Sequence, residues 1–293
     1  MADAAGKLPI ITCARDAWLF LRDHWRMFLP AAIAMALASQ IGFALAVMAG
    51  GGAGDQSALG GSLGNLAVAM PALLASLMFA AAVLRKVVRG EFTGPMGLGF
   101  GADELRLLAV VAAFGCMIIP LGTLVFIIVS TTVLSRLAAT PEELTAILND
   151  PEALNEALAQ ALGPGGTAAF LLLVMLVFAA AIYLFTRLFM VNAATIGERR
   201  VVMFQSWRWS RGNVLRMLGA IMLTWLPAYV IDSVVVEVGV AILRPITTDG
   251  NAGLVLIAFN AVATFVAAMV GIPSIVLGAI FYKGLRPPDF VAK

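Results

Sequence analysis

Residues 167–190, TAAFLLLVMLVFAAAIYLFTRLFM, carry a single formal charge, at Arg187. An α-helix of this length, rising about 1.5 Å per residue, measures about 36 Å and exceeds the ~30 Å of hydrocarbon in a bilayer. Lipid satisfies no backbone polar group, so a helix is the expected spanning element. Five more apolar blocks flank this one, at about Met27–Met48, Leu66–Leu84, Leu107–Val129, Val214–Val234 and Leu254–Tyr282. The chain is 61% hydrophobic and 12% charged, against about 25% charged residues in soluble domains. The expected fold is therefore all-α, a single polytopic transmembrane helical bundle of about six spans over residues 1–293. Prolines 30, 71, 120, 227 and 273 fall in or at the mouths of the blocks and are read as bends rather than ends.

Orientation follows from the basic residues, which cytoplasmic loops retain. With the N-terminus inside, all of the 19 Lys and Arg lie on the inner side except Arg136 and Arg244. Both termini are thus expected in the cytoplasm of a bacterium, with the bundle in its inner membrane. The net charge of +2 hides this asymmetry, and no nucleic-acid partner is inferred from it. No cleaved signal is expected, since no apolar stretch precedes Arg15. Cys13 and Cys116 are expected at different depths, hence as free thiols.

The outer loops differ from the inner ones. Residues 50–64 have the composition of a flexible linker. Residues 140–162 form an outer amphipathic segment of two short helices: Thr140 with Glu143 makes a capping box, Asp150 caps before Pro151, and Gly163 fits a stop. Such a segment serves either as a lid or as a partner-binding surface.

At the inner interface, Ala14–Arg26 places Arg15, Arg22 and Arg26 on one helical stripe with Trp18, Leu21 and Trp25 beside it. This pattern predicts an interfacial helix, with tryptophans at headgroup level and guanidinium groups among lipid phosphates. Residues 198–211 form a second such segment, in which Trp207, Arg211 and Arg216 match Trp18, Arg22 and Arg26 with one residue of offset. The third entry, Gly97–Leu108, shares only its glycines and Arg106, so a three-hairpin repeat is weakly marked.

Through Ser206-Trp207-Arg208-Trp209-Ser210-Arg211-Gly212-Asn213, with Arg216 and Gly219 beyond, the chain resembles a bacterial family of six-helix membrane proteins. That family includes the membrane domain fused to some glycerophosphodiester phosphodiesterases, and the function of many members is unsettled. The resemblance is specific over about 30 residues and implies a six-helix inner-membrane bundle, with Arg187 and the Ser-Trp-Arg elbow as family positions. Trp209 stands where an aliphatic residue is more usual. The phosphodiesterase domain is absent, so its activity is not implied.

From the residues themselves, Gly212 is expected to end one helix in a left-handed conformation and Asn213 to cap the next. The anionic-headgroup candidates are Arg22, Arg26, Arg187, Arg208, Arg211 and Arg216. The interfacial anchors are Trp18, Trp25, Trp207 and Trp209. Membrane phospholipids are the expected partners, together with a membrane-protein partner or a second copy of the chain.

Catalysis needs converging titratable groups, and His24 is the one histidine. No metal ligand set, nucleophile–base pair or phosphate loop is readable, so no cofactor, metal or catalytic residue is assigned and no enzymatic activity is expected. The glycine run at 94–101 reads as a turn feeding the third span. Gln40, Asp232 and Asn260 are polar within or near apolar blocks. They serve either as interhelical hydrogen-bonding groups or as the lining of an outward-facing cavity. The function expected is scaffolding or lipid handling; the alternative is a transporter or permease whose substrate enters near Asp232 and Asn260.

Overall fold

The computed structural model describes residues 7–48, 62–92, 94–137, 151–245 and 252–287. Among them the secondary structure is helical, without strands. The helices are α1 (Ile10–Met48), α2 (Ser62–Arg89), α3 (Ala102–Leu137), α4 (Pro151–Leu188), α5 (Val191–Glu198), α6 (Phe204–Trp209), α7 (Val214–Leu243) and α8 (Ala252–Leu285), with a short 3-10 turn at Pro95–Gly97. Four stretches are long and apolar enough to cross a membrane, Ala69–Arg89, Ala168–Glu198, Val214–Leu243 and Gly253–Leu285, as in a membrane protein. Each of the six apolar blocks falls within a helix, that of residues 167–190 except for its last two residues. Pro30, Pro71, Pro120, Pro227 and Pro273 all lie inside helices and end none of them.

The chain divides into two compact units, residues 1–110 with 186–293, and residues 111–185. The first holds the core. There α1 is central, touching α2, α7 and α8, while α5 is set against α2 and α8. Small residues permit the close approach: Ala17, Ala31 and Ala32 of α1 and Ala81, Ala193, Ala194, Ala220 and Ala279 are fully or almost fully buried, around Phe28, Leu84, Met217 and Phe281. In the second unit, Leu171 to Phe178 of α4 are exposed, and an apolar exterior of this kind suits lipid rather than water.

Two expectations are corrected here. Residues 14–26 are not a separate interfacial helix but the first turns of the 39-residue α1. No breaker separates them from the apolar block, and Cys13, Ala14 and Ala17 turn a small-residue face into the core. Residues 198–211 are not one helix either. Arg199 ends α5 in a left-handed conformation (φ 54°), and only Phe204–Trp209 is helical after it.

Other local readings stand. Gly212 has φ 81°, a region that costs most side chains energy, and Asn213 takes the N-cap position of α7. Gly163, at φ 64°, breaks the helical backbone within α4, where a stop was read. The first outer helix, from Thr140, and most of the 50–64 linker lie outside the described residues.

Candidate functional site

The elbow between α5 and α7 is held by internal polar contacts. Ser206 and Ser210 are buried and donate to the carbonyls of Met203 (2.6 Å) and Trp207 (3.2 Å). Arg187 is nine-tenths buried, donates to the Trp207 carbonyl at 2.8 Å and lies 4.6 Å over the Trp207 ring. The Asn213 side chain does not cap its own helix; its Oδ1 accepts the Leu8 N–H at 3.1 Å. Arg216 donates to the Leu8 carbonyl at 3.2 Å. Both polar groups of one N-terminal residue, itself 2% exposed, are thus gripped by the start of α7.

This geometry sorts the headgroup candidates. Arg187 and Arg216 serve the protein's own backbone, whereas Arg22, Arg26, Arg208 and Arg211 are exposed. Arg22 meets the adjacent Asp23 at 3.0 Å, and Arg26 lies 5.4 Å over the ring of Trp25. Among the anchors, Trp25 is exposed, and Trp18 and Trp207 are half-buried. Trp209 is a correction: it is 8% exposed and faces the Tyr282 ring, 6.1 Å between centroids, so it belongs to the core. Ser206, Trp209 and Ser210 stand at i, i+3 and i+4 of this short helix and its cap and are all buried.

A charged cluster that the sequence reading missed joins α2 to the start of α3. Arg85 donates to Glu104 at 2.5 Å and to the Gly97 carbonyl at 3.2 Å. Arg89 pairs with Asp103 and, at 3.2 Å, with Glu91; Arg106 meets Asp103 at 2.7 Å. The Glu104 and Arg85 side chains are 1% and 9% exposed. Glu104 also accepts the Gly101 N–H at 2.9 Å, the back-reaching half of a capping box with Glu at the third helical position. The glycine run is thus the turn expected. Gly97 has φ 74°, and a Cβ there would lie 2.3 Å from the Phe92 ring.

Two further ties close the same end of the first unit. Buried Glu198 accepts the Tyr282 hydroxyl at 2.6 Å and pairs with Arg286 at 2.7 Å. Lys283 donates to the Val87 carbonyl at 2.6 Å, covering the end of α2. Burial pushes the Cys13 thiol pKa up, and both cysteines are free. His24 Nδ1 lies 3.1 Å from the Phe20 carbonyl, which only accepts, and its ring stacks on Phe20. Among the described residues no three His, Cys, Asp or Glu side chains are grouped to hold a metal ion.

The three polar-cavity candidates are not brought together. Buried Gln40 donates within α1, to Ser39 Oγ at 3.0 Å and the Ala36 carbonyl at 3.4 Å. Asp232 borders a groove between α7 and α8 that is otherwise almost wholly apolar. Half-buried Asn260 lines neither that groove nor a second apolar one between Val234 and Val262. The chain matches no family model, no curated protein and no solved structure, so the resemblance at residues 206–219 stands on those residues alone.

Proposed function

We propose that the chain is a non-enzymatic protein of the bacterial inner membrane that crosses it six times, termini in the cytoplasm, and organises anionic phospholipid in a scaffolding or lipid-handling role. Supporting the span count, α1 and α3 are 39 and 36 residues long and contain the remaining two apolar blocks. The observation that carries the lipid reading is the exposed face of the elbow. Arg208 and Arg211 stand beside Phe204 and Leu215, 75% and 82% exposed. Arg22 and Arg26 repeat the pattern beside Trp25 on α1. Exposed guanidinium groups interleaved with exposed large apolar side chains suit the boundary where acyl chains meet phosphates.

The test separates a fork-shaped recognition site from bulk attraction, which contributes about 1 kcal/mol per Lys or Arg whichever of the two is present. A guanidinium grips phosphate bidentately and an ammonium does not. Protein purified from bilayers of phosphatidylglycerol and phosphatidylethanolamine is therefore expected to retain several-fold less phosphatidylglycerol when Arg208→Lys and Arg211→Lys are combined. Arg244→Lys, at the far end of α7, should change nothing. Equal retention by the double variant and the wild type would remove the headgroup site.

A further inference from the structure

The groove beside Asp232 is an open apolar channel with a charged group at one end. Its lining pairs residues 222–232 of α7 with residues 267–274 of α8, and the second groove pairs 234–243 with 255–262, the descending register of antiparallel helices. Met222 therefore lies at one end and Asp232 at the other, about 15 Å apart along the axis. The groove is open on its outer side and offers about 520 Å³, within the range of small-molecule sites. An open apolar groove of this length admits a hydrocarbon chain.

Its walls are Met222, Leu223, Leu226 and Val270, and its floor includes Ala267 and Gly271. Asp232 is half-buried at the end remote from the elbow, about 27 Å along the helix from Val214. It makes no hydrogen bond or ion pair with any described residue. A carboxylate at the edge of hydrocarbon is costly without a counter-charge. Trp225 and Tyr229 precede it by seven and three residues, share its helical stripe and are exposed. An aromatic ring within a turn of a carboxylate, as Tyr229 is, suits an organic ammonium group.

We propose that this groove binds an aminophospholipid from the leaflet opposite the elbow, one acyl chain lying along α7 and α8 and the ammonium head meeting Asp232. The site depends only on these two helices lying in the membrane, not on the elbow's recognition of anionic lipid. Its charge preference is the reverse of the elbow's, so one preparation distinguishes the two.

The experiment is native mass spectrometry of the full chain released from bilayers of equal phosphatidylethanolamine and phosphatidylglycerol. Wild type is expected to keep phosphatidylethanolamine. Asp232→Asn and, separately, Gly271→Leu are expected to lower it about tenfold, the scale of one lost charge-assisted hydrogen bond. Asp232→Glu should retain it. A Cβ at Gly271, which lines the groove, meets nothing within 4 Å, and unchanged thermal unfolding of that variant confirms the fold. Undiminished phosphatidylethanolamine in both variants would overturn the proposal. So would a loss of phosphatidylglycerol equal to that of phosphatidylethanolamine in Asp232→Asn, or a second copy or another protein found bound there.

Discussion

Glu104 shows how much one residue does at the charged cluster. Its side chain is 1% exposed and accepts from both Arg85 and the Gly101 N–H. Removing one partner of a buried ion pair leaves the other charge desolvated, at about 3–5 kcal/mol. Glu104→Gln is therefore expected to lower the thermal unfolding midpoint in detergent sharply, while Asp23→Asn, in an exposed pair with Arg22, shifts it little. Equal shifts would mean that the cluster is more hydrated than its burial implies. Little of this was legible beforehand. Arg85 and Glu104 are 19 residues apart across a glycine turn, and in the sequence Arg85 reads only as one more inner-side charge. Glu104 was half readable, since an acid at the third helical position reaches back to the cap.

At the scale of elements, the long helices were legible because hydrophobic runs of this length have one solution in lipid. The short ones were not. A tryptophan beside arginines looks like an interfacial anchor whether it faces lipid or, as Trp209 does, the ring of Tyr282. Local composition does not reveal which way a six-residue helix turns; its neighbours decide. The start of α7 behaves likewise. Asn213 was read as a cap, and it occupies that position, but its side chain is engaged by Leu8. Asn213→Ala should therefore act on the N-terminal segment rather than on α7. The Leu8 amide, left buried without an acceptor, is expected to exchange faster with solvent hydrogen, at a stability cost of about 1–3 kcal/mol, while amides of the first turn of α7 keep their rates. Accelerated exchange confined to α7 would restore the capping role.

For the whole molecule, the proposed topology makes a labelling prediction. In a background without Cys13 and Cys116, single cysteines at positions 51–62 and 140–162 are expected to react with an impermeant maleimide added outside. Those at 90–100 and 198–210 should react only after the membrane is opened. Outside labelling at 198–210 would invert the orientation. The grip on Leu8 also has a temporal consequence. Its two partners lie 205 and 208 residues further along the chain. At a synthesis rate of about 5–20 residues per second, the N-terminal segment emerges some 10–40 s before its partners exist. During that interval the Leu8 backbone has neither of these partners, although α2, which packs on α1, has already been made. Closure of the bundle at this end is therefore a late event in biogenesis, reserved until translation has delivered α7.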